Sequence, residues 1–192
     1  NISNQTVLLD KNSIMLNQVA FHDSKGHQAV ANGIVNLNKL SNPYIDVDVV
    51  TNNTMILNTT YKDNNLYFGT AYATGTFKFK GATSAIDINI KARSEDNTSI
   101  TIPFNSAMTV TDSDFIYFVS NDSSKNKQQE SKYLLKGMTM NMDIEFTPTA
   151  EVNLQTDLGS LKGNGTGEIT LKVSSLGDFE MFGDYTVNSG KF

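Results

Sequence analysis

The chain's two histidines, His22 and His27, flank Asp23 in the polar segment Phe21-His22-Asp23-Ser24-Lys25-Gly26-His27. Two imidazoles and a carboxylate form a conceivable ligand set for a divalent cation. The reading as two solvated histidines beside a turn outweighs it, and no metal is predicted. Two carboxylate pairs, Asp46/Asp48 and Asp112/Asp114, stand two residues apart. On a strand such residues share a face, where they could grip Ca²⁺ or work as acid and base. Asp46 and Asp48, however, alternate with Ile45, Val47 and Val49, which reads as a wet face behind a dry one. Asp112 and Asp114 fall in a Thr/Ser/Asp stretch of the kind that bonds its own backbone in turns. Gly163-Asn164-Gly165-Thr166-Gly167 looks superficially like a phosphate loop. A phosphate cradle needs a helix N-terminus after it, and a strand pattern follows here. There is no Gly-x-Ser-x-Gly turn to carry a hydrolase nucleophile. There is also no cysteine to act as nucleophile or thiolate ligand. These residues predict neither an enzyme nor a cofactor.

The elements that hold them read as strands. Ile86, Ile88 and Ile90 alternate with Asp87, Asn89 and Lys91. Met138, Met140, Met142, Ile144 and Phe146 alternate with Thr139, Asn141, Asp143 and Glu145. Ile169, Leu171 and Val173 alternate with Glu168, Thr170 and Lys172. Successive strand side chains point to opposite faces, so each run has one dry and one wet face. Tyr44–Val50, Phe77/Phe79 and Ile100/Ile102/Phe104 follow the same rule, the last ending at an expected turn at Asn105. Further turns are expected at Asp63-Asn64-Asn65, Asp96-Asn97, Gly163-Asn164-Gly165 and Asn188-Ser189-Gly190. Phe115–Val119 is apolar on both faces, and Asn121–Ser131 reads as a mobile loop. Some ten to twelve strands result, which predicts an antiparallel-rich all-β fold. No Gly/Ser/Pro linker divides residues 1–192, so the chain reads as one unit.

Composition agrees. Among 192 residues there are 22 Asn and 20 Thr, residues of turns and strands respectively. A net charge of −5, from 15 Lys+Arg against 20 Asp+Glu, argues against nucleic acid as a partner. No apolar run approaches the ~20 residues of a membrane-spanning helix. The sequence opens without an initiator Met or a leader pattern, and is expected to be a segment of a longer protein. Met138, Met140 and Met142 put three flexible, polarizable side chains in a row, a composition common to closed cores and to adaptable apolar surfaces.

The C-terminal half resembles a known family. Asp143-Ile144-Glu145-Phe146-Thr147-Pro148-Thr149-Ala150-Glu151-Val152 is similar to a strand followed by a Thr-Pro-x-Ala turn. Leu161–Leu171 is similar to an "x-G-x-G-x-G-x-L-x-L" strand. Gly177–Phe192 is similar to the pattern "G-x-F-x-M-x-G-x-Y-x-V-x-x-G-x-F". All three occur in the C-terminal domain of the TamB family, the translocation and assembly module proteins of diderm bacteria, within the wider AsmA-like group. Upstream, Ile100–Phe104 and Asp112–Val119 are also similar to members of that family, whereas residues 1–70 share the strand alternation alone.

The resemblance implies a curled, antiparallel-rich β-sheet, taco-like or half-pipe in section, with an apolar inner face and a polar outer one. It implies a periplasmic segment whose full-length protein is anchored in the inner membrane and reaches the outer membrane, with a TamA-type outer-membrane barrel as partner. It implies a role in phospholipid transport or in outer-membrane protein assembly. On that reading Ile86, Ile88, Ile90, Met138, Met140, Met142, Ile144, Phe146, Ile169, Leu171, Val173, Phe179 and Met181 line a groove that holds phospholipid acyl chains by apolar contact alone. Two other readings remain open. The sheet edges could pair with client strands of outer-membrane proteins, or the chain could be a closed β-sandwich with a structural or adhesive role.

Overall fold

The computed structural model describes residues 6–64, 67–104, 137–175 and 179–192. They form eleven strands in one sheet: β1 (Leu8–Asp10), β2 (Ser13–His22), β3 (Gln28–Asn36), β4 (Tyr44–Thr59), β5 (Phe68–Ala82), β6 (Ala85–Ser94), β7 (Ser99–Phe104), β8 (Thr139–Phe146), β9 (Glu151–Thr156), β10 (Gly159–Ser174) and β11 (Phe179–Lys191). The all-β expectation therefore holds, and residues 1–70 belong to the same sheet from β1 onwards. The Asn105 turn, the Asp112/Asp114 pair, the Phe115–Val119 run and the Asn121–Ser131 loop lie outside the described residues.

β1 to β6 form an antiparallel meander in chain order, and β10 pairs antiparallel with β8, β9 and β11. The two groups meet through parallel pairs, β6 with β8 and β7 with β9. β6 and β7 lie end to end along one edge of β5, and β8 and β9 lie end to end along one edge of β10. The pairings thus close a circuit β5–β6–β8–β10–β9–β7. The parallel register is the same on both sides of the break: Asn89 meets Asn141 and Ser99 meets Glu151, each across 52 positions. The two broken strands are therefore continuous ribbons sharing one kink, at Glu95–Thr98 and Thr147–Ala150.

That kink is part of a line of irregularities. β4 slips register against β5 between Thr51 and Thr54 and again between Met55 and Leu57. β10 and β11 slip at Asn164/Gly165. An inserted residue leaves its strand bent and more twisted than its neighbour. The expected turns at Gly163–Gly165 and Asn188–Gly190 are not turns: both segments run inside long strands, β10 and β11. Their small and polar residues mark the register slip at which the ladder is interrupted, a local signal that resembles a turn.

Side chains replace the missing ladder bonds along this crease. Thr98 Oγ1 accepts from Tyr72 N–H at 3.0 Å and donates to Tyr72 C=O at 3.0 Å. Thr54 Oγ1 donates to Gln28 C=O at 2.8 Å. Thr147 N–H donates to Ser94 Oγ at 2.9 Å, and Glu151 N–H donates to Thr98 C=O at 2.9 Å. Thr51, Thr54, Ser94 and Thr98 are buried, and all four lie on the crease. A buried polar group without a partner costs about 1–3 kcal/mol, so the hydroxyls belong where the backbone needs them.

Candidate functional site

Register assigns every strand residue to one of two faces. On one face stand Asp46 opposite Lys80, Asp48 opposite Lys78, Lys91 opposite Asp143 and Lys172 opposite Glu180. The pairs are exposed, with Lys–Asp distances of 3.5 Å for the first two. Each contributes less than about 1 kcal/mol. Asp46 and Asp48 are thus the wet face of β4 and meet lysines, not each other's chemistry.

The other face is apolar. One row runs Leu16, Gly33, Val47, Phe79, Ile88, Met140, Val173 and Phe179 across eight strands. A second runs Val19, Ala31, Val49, Phe77, Ile90, Met142, Leu171 and Met181. Ile144 meets Ile169, and Phe146 meets Gly167. Ile86 stands one position before Asp87, the residue in register with Thr139, and so lies level with Met138. Register thus puts twelve of the thirteen residues expected to share a wall on one face, while Met138 precedes β8 and has no ladder partner.

Met142, Phe146, Leu171 and Val173 are buried, while Ile86, Ile88, Ile90, Met138, Met140, Ile144, Ile169 and Met181 are partly exposed. Burial of a Val, Leu, Phe or Met side chain contributes about 1.5–3 kcal/mol. Sequence reasoning left out Val47, Val49, Phe77 and Phe79, which carry the face into the N-terminal half. Their alternation was visible, and only cross-strand register ties them to the wall. All the described strands that carry this face belong to one sheet.

Where the crease crosses the apolar face, side chains become small. β5 carries Ala71, Ala73 and Gly75, and β10 carries Gly163, Gly165 and Gly167. A Cβ on Gly75 would overlap Lys91 O and fall 2.6 Å from Ala92 Cα, so this backbone approach excludes any side chain. Phe146, Ala150 and Val152 pack beside the β10 glycines, with Ile100, Ile144, Leu154, Ile169 and Tyr185 against them. Burial pushes the Tyr185 hydroxyl pKa above its ordinary value.

The histidine segment forms a clasp. The Asp23 carboxylate is buried and accepts from Lys25 N–H at 2.8 Å, His27 N–H at 3.0 Å and Met55 N–H at 3.0 Å, with His27 Nδ1 at 3.0 Å. Desolvation pushes its pKa up. The bonds from Met55, the His27 ring and the two turn amides outweigh that and hold it well below the usual carboxylate range. The turn lies on Tyr72, with Lys25 Nζ 4.3 Å from the ring centre and the His27 ring edge-on at 6.0 Å. Asp23 is thus a structural acceptor at the crease. Among the described residues no group of three His, Cys, Asp or Glu side chains could hold a metal ion.

Two shallow clefts open on the charged face. The larger, about 690 Å³, is bordered by Glu145, Glu168, Asp184 and Phe182. No cluster of nucleophile, base and oxyanion donors accompanies either.

A family model described as the TamB C-terminal domain matches residues 18–192. No curated protein and no solved structure matches the chain.

Proposed function

We propose, for a chain that belongs to the TamB C-terminal domain family, that the apolar face of this sheet holds hydrocarbon, namely phospholipid acyl chains on their way between two membranes. The family itself points to the translocation and assembly module, which serves outer-membrane protein assembly. The observation that carries the lipid reading is the pair of predominantly apolar rows running across eight strands of a single sheet. Uncovered apolar area of more than a few hundred Å² marks a binding surface. A contact of about ten methylenes is worth several kcal/mol at ~0.8 kcal/mol each, before ordering costs. Apolar contact has no direction, so a chain can slide along the wall without a site-specific barrier.

The small residues of β5 and β10 at the crease support a half-pipe curled towards the apolar face. Removing side chains from one face of a bent sheet lets that face become the concave one. Burial of Met142, Leu171 and Val173 agrees with such a curl. In this reading the groove lies in the periplasm, within a protein anchored in the inner membrane and partnered by a TamA-type barrel.

The test is native mass spectrometry and lipid extraction of the purified chain, with binding of an apolar dye. Bound lipid and dye binding are expected. A folded chain that carries neither overturns the reading.

A second reading rests on β11. Among the described residues it pairs with β10 alone, which leaves the other edge of a 13-residue strand without a described partner. Unpaired backbone groups there are a template for strand addition, the chemistry needed to hold an unfolded barrel strand.

A further inference from the structure

Several strand pairs of the sheet match charges of opposite sign side by side, and β4–β5 does so twice. β4 presents Asp46 and Asp48, and its neighbour β5 answers with Lys80 and Lys78 on the charged face and Phe79 and Phe77 on the apolar face. At the β11 end Lys172 answers Glu180, but the neighbouring acidic row is unmatched. Glu145, Glu168 and Asp184 stand directly opposite one another in β8, β10 and β11. Cross-strand neighbours lie about 5 Å apart, and like charges so placed repel. Arg93 is in register with Glu145 but pairs with Glu95. None of the three carboxylates takes part in an ion pair among the described residues.

The same edge is guarded against strand addition by a register slip beside Asn188 and by carboxylates, not by proline or internal lysine. β11 has no proline, and its one basic residue is the terminal Lys191. Phe182 is 53% exposed between Glu180 and Asp184, and Lys172 Nζ lies 5.3 Å from its ring centre. The stem of a lysine can lie on such a ring while its ammonium reaches a carboxylate.

We propose that the β11 edge takes an extended segment in which apolar residues alternate with lysine or arginine, an inference that rests on the strand-pairing reading above. The apolar positions continue the row of Met181, Tyr185 and Val187, and a basic position faces Asp184, the β11 carboxylate that no lysine or arginine of the described residues answers. The occupant does for β11 what β5 does for β4.

The chain's own residues 74–81 supply the probe, as a capped synthetic peptide of that sequence, with Lys78/Lys80→Glu and Lys78/Lys80→Ser versions. Amide exchange is measured on the whole 192-residue chain. The basic peptide is expected to slow exchange in residues 179–191 and not in residues 8–22, with an effect that weakens as salt rises. The Glu peptide is expected to give none. Asp184→Lys, which supplies a cation from within, is expected to weaken binding of the basic peptide about fivefold. If the Ser peptide protects β11 as well as the basic one, the charge inference is overturned while strand pairing stands. If no peptide slows exchange in β11, both fall.

Discussion

Tyr185 lies across Gly165. A Cβ at Gly165 would fall 2.9 Å from Tyr185 Cζ and would also overlap the Thr186 carbonyl oxygen. The tyrosine hydroxyl reaches Gly163 C=O at 3.4 Å, and its ring meets Phe146 edge-on at 5.7 Å. The glycine stripe of β10 is thus filled from the neighbouring strand, a known device for stabilising glycine in sheets. Gly165→Ala should destabilise the fold by about 1–3 kcal/mol as an overpacked site. Urea unfolding checks it, and an unchanged midpoint would show that the Tyr185 ring and the Thr186 backbone both give way freely.

The crease depends on hydroxyls. Thr98→Val keeps the shape of a buried side chain but leaves Tyr72 N–H without its partner, while Tyr72 C=O keeps the bond from Glu95 N–H. A loss of about 1–3 kcal/mol is expected, read as a lower unfolding midpoint with an unchanged slope. A neutral outcome would mean that water or a ladder bond takes the place of the hydroxyl.

Met140 stands in register between Ile88 and Val173 and is partly exposed. Met140→Glu should therefore fold, yet it places a carboxylate in the middle of the apolar row, where pairing is absent and desolvation is costly. Dye binding and co-purified lipid should both drop. A folded Met140→Glu chain that retains lipid at the original level contradicts the acyl-chain reading.

Acid should loosen the clasp in a defined direction. Asp23 is held below the usual carboxylate range. So are Asp63, by bonds from Thr60, and Glu151, by bonds from Ser99 and Lys162. A carboxyl depressed in the folded state contributes stability above its unfolded pKa, and that stability drains away as pH falls below about 4 towards the folded value. Asp23→Asn should be less stable at neutral pH and should lose less on acidification. Superimposable acid limbs for Asp23→Asn and wild type would remove Asp23 from the account.

Asp184→Lys faces Glu168 directly. Turning repulsion into attraction at an exposed cross-strand position should raise stability by about 0.5–1 kcal/mol at low salt, fading at high salt. Thermal unfolding in two salt concentrations decides it.

Much of this was legible in the sequence because strand period and burial coincide. The Ile86/Ile88/Ile90, Met140–Phe146 and Ile169–Val173 alternations each map onto one face. The turn at Asp96-Asn97 lies in the observed kink, although the slip between β6 and β7 could not be foreseen from it. The crease was misread at Gly163–Gly165 and Asn188–Gly190 because a bulge is defined by a partner strand, and one strand alone cannot display a mismatch. For the same reason Phe77 and Val47 looked like isolated alternations until register set them beside Ile90 and Phe79. The Asp23 clasp was visible only as residue types. Its chief partner, Met55 N–H, lies 32 positions away.

The two parallel pairs bear on the order of assembly. Every strand pairing within β1–β6 closes a hairpin, and β8–β11 likewise zip with near neighbours. Only β6–β8 and β7–β9 demand closure of a loop spanning 52 positions. Loop entropy must be met before such distant pairing rewards it. Two meanders should therefore form early and independently, and the join between them should set the slow step of refolding.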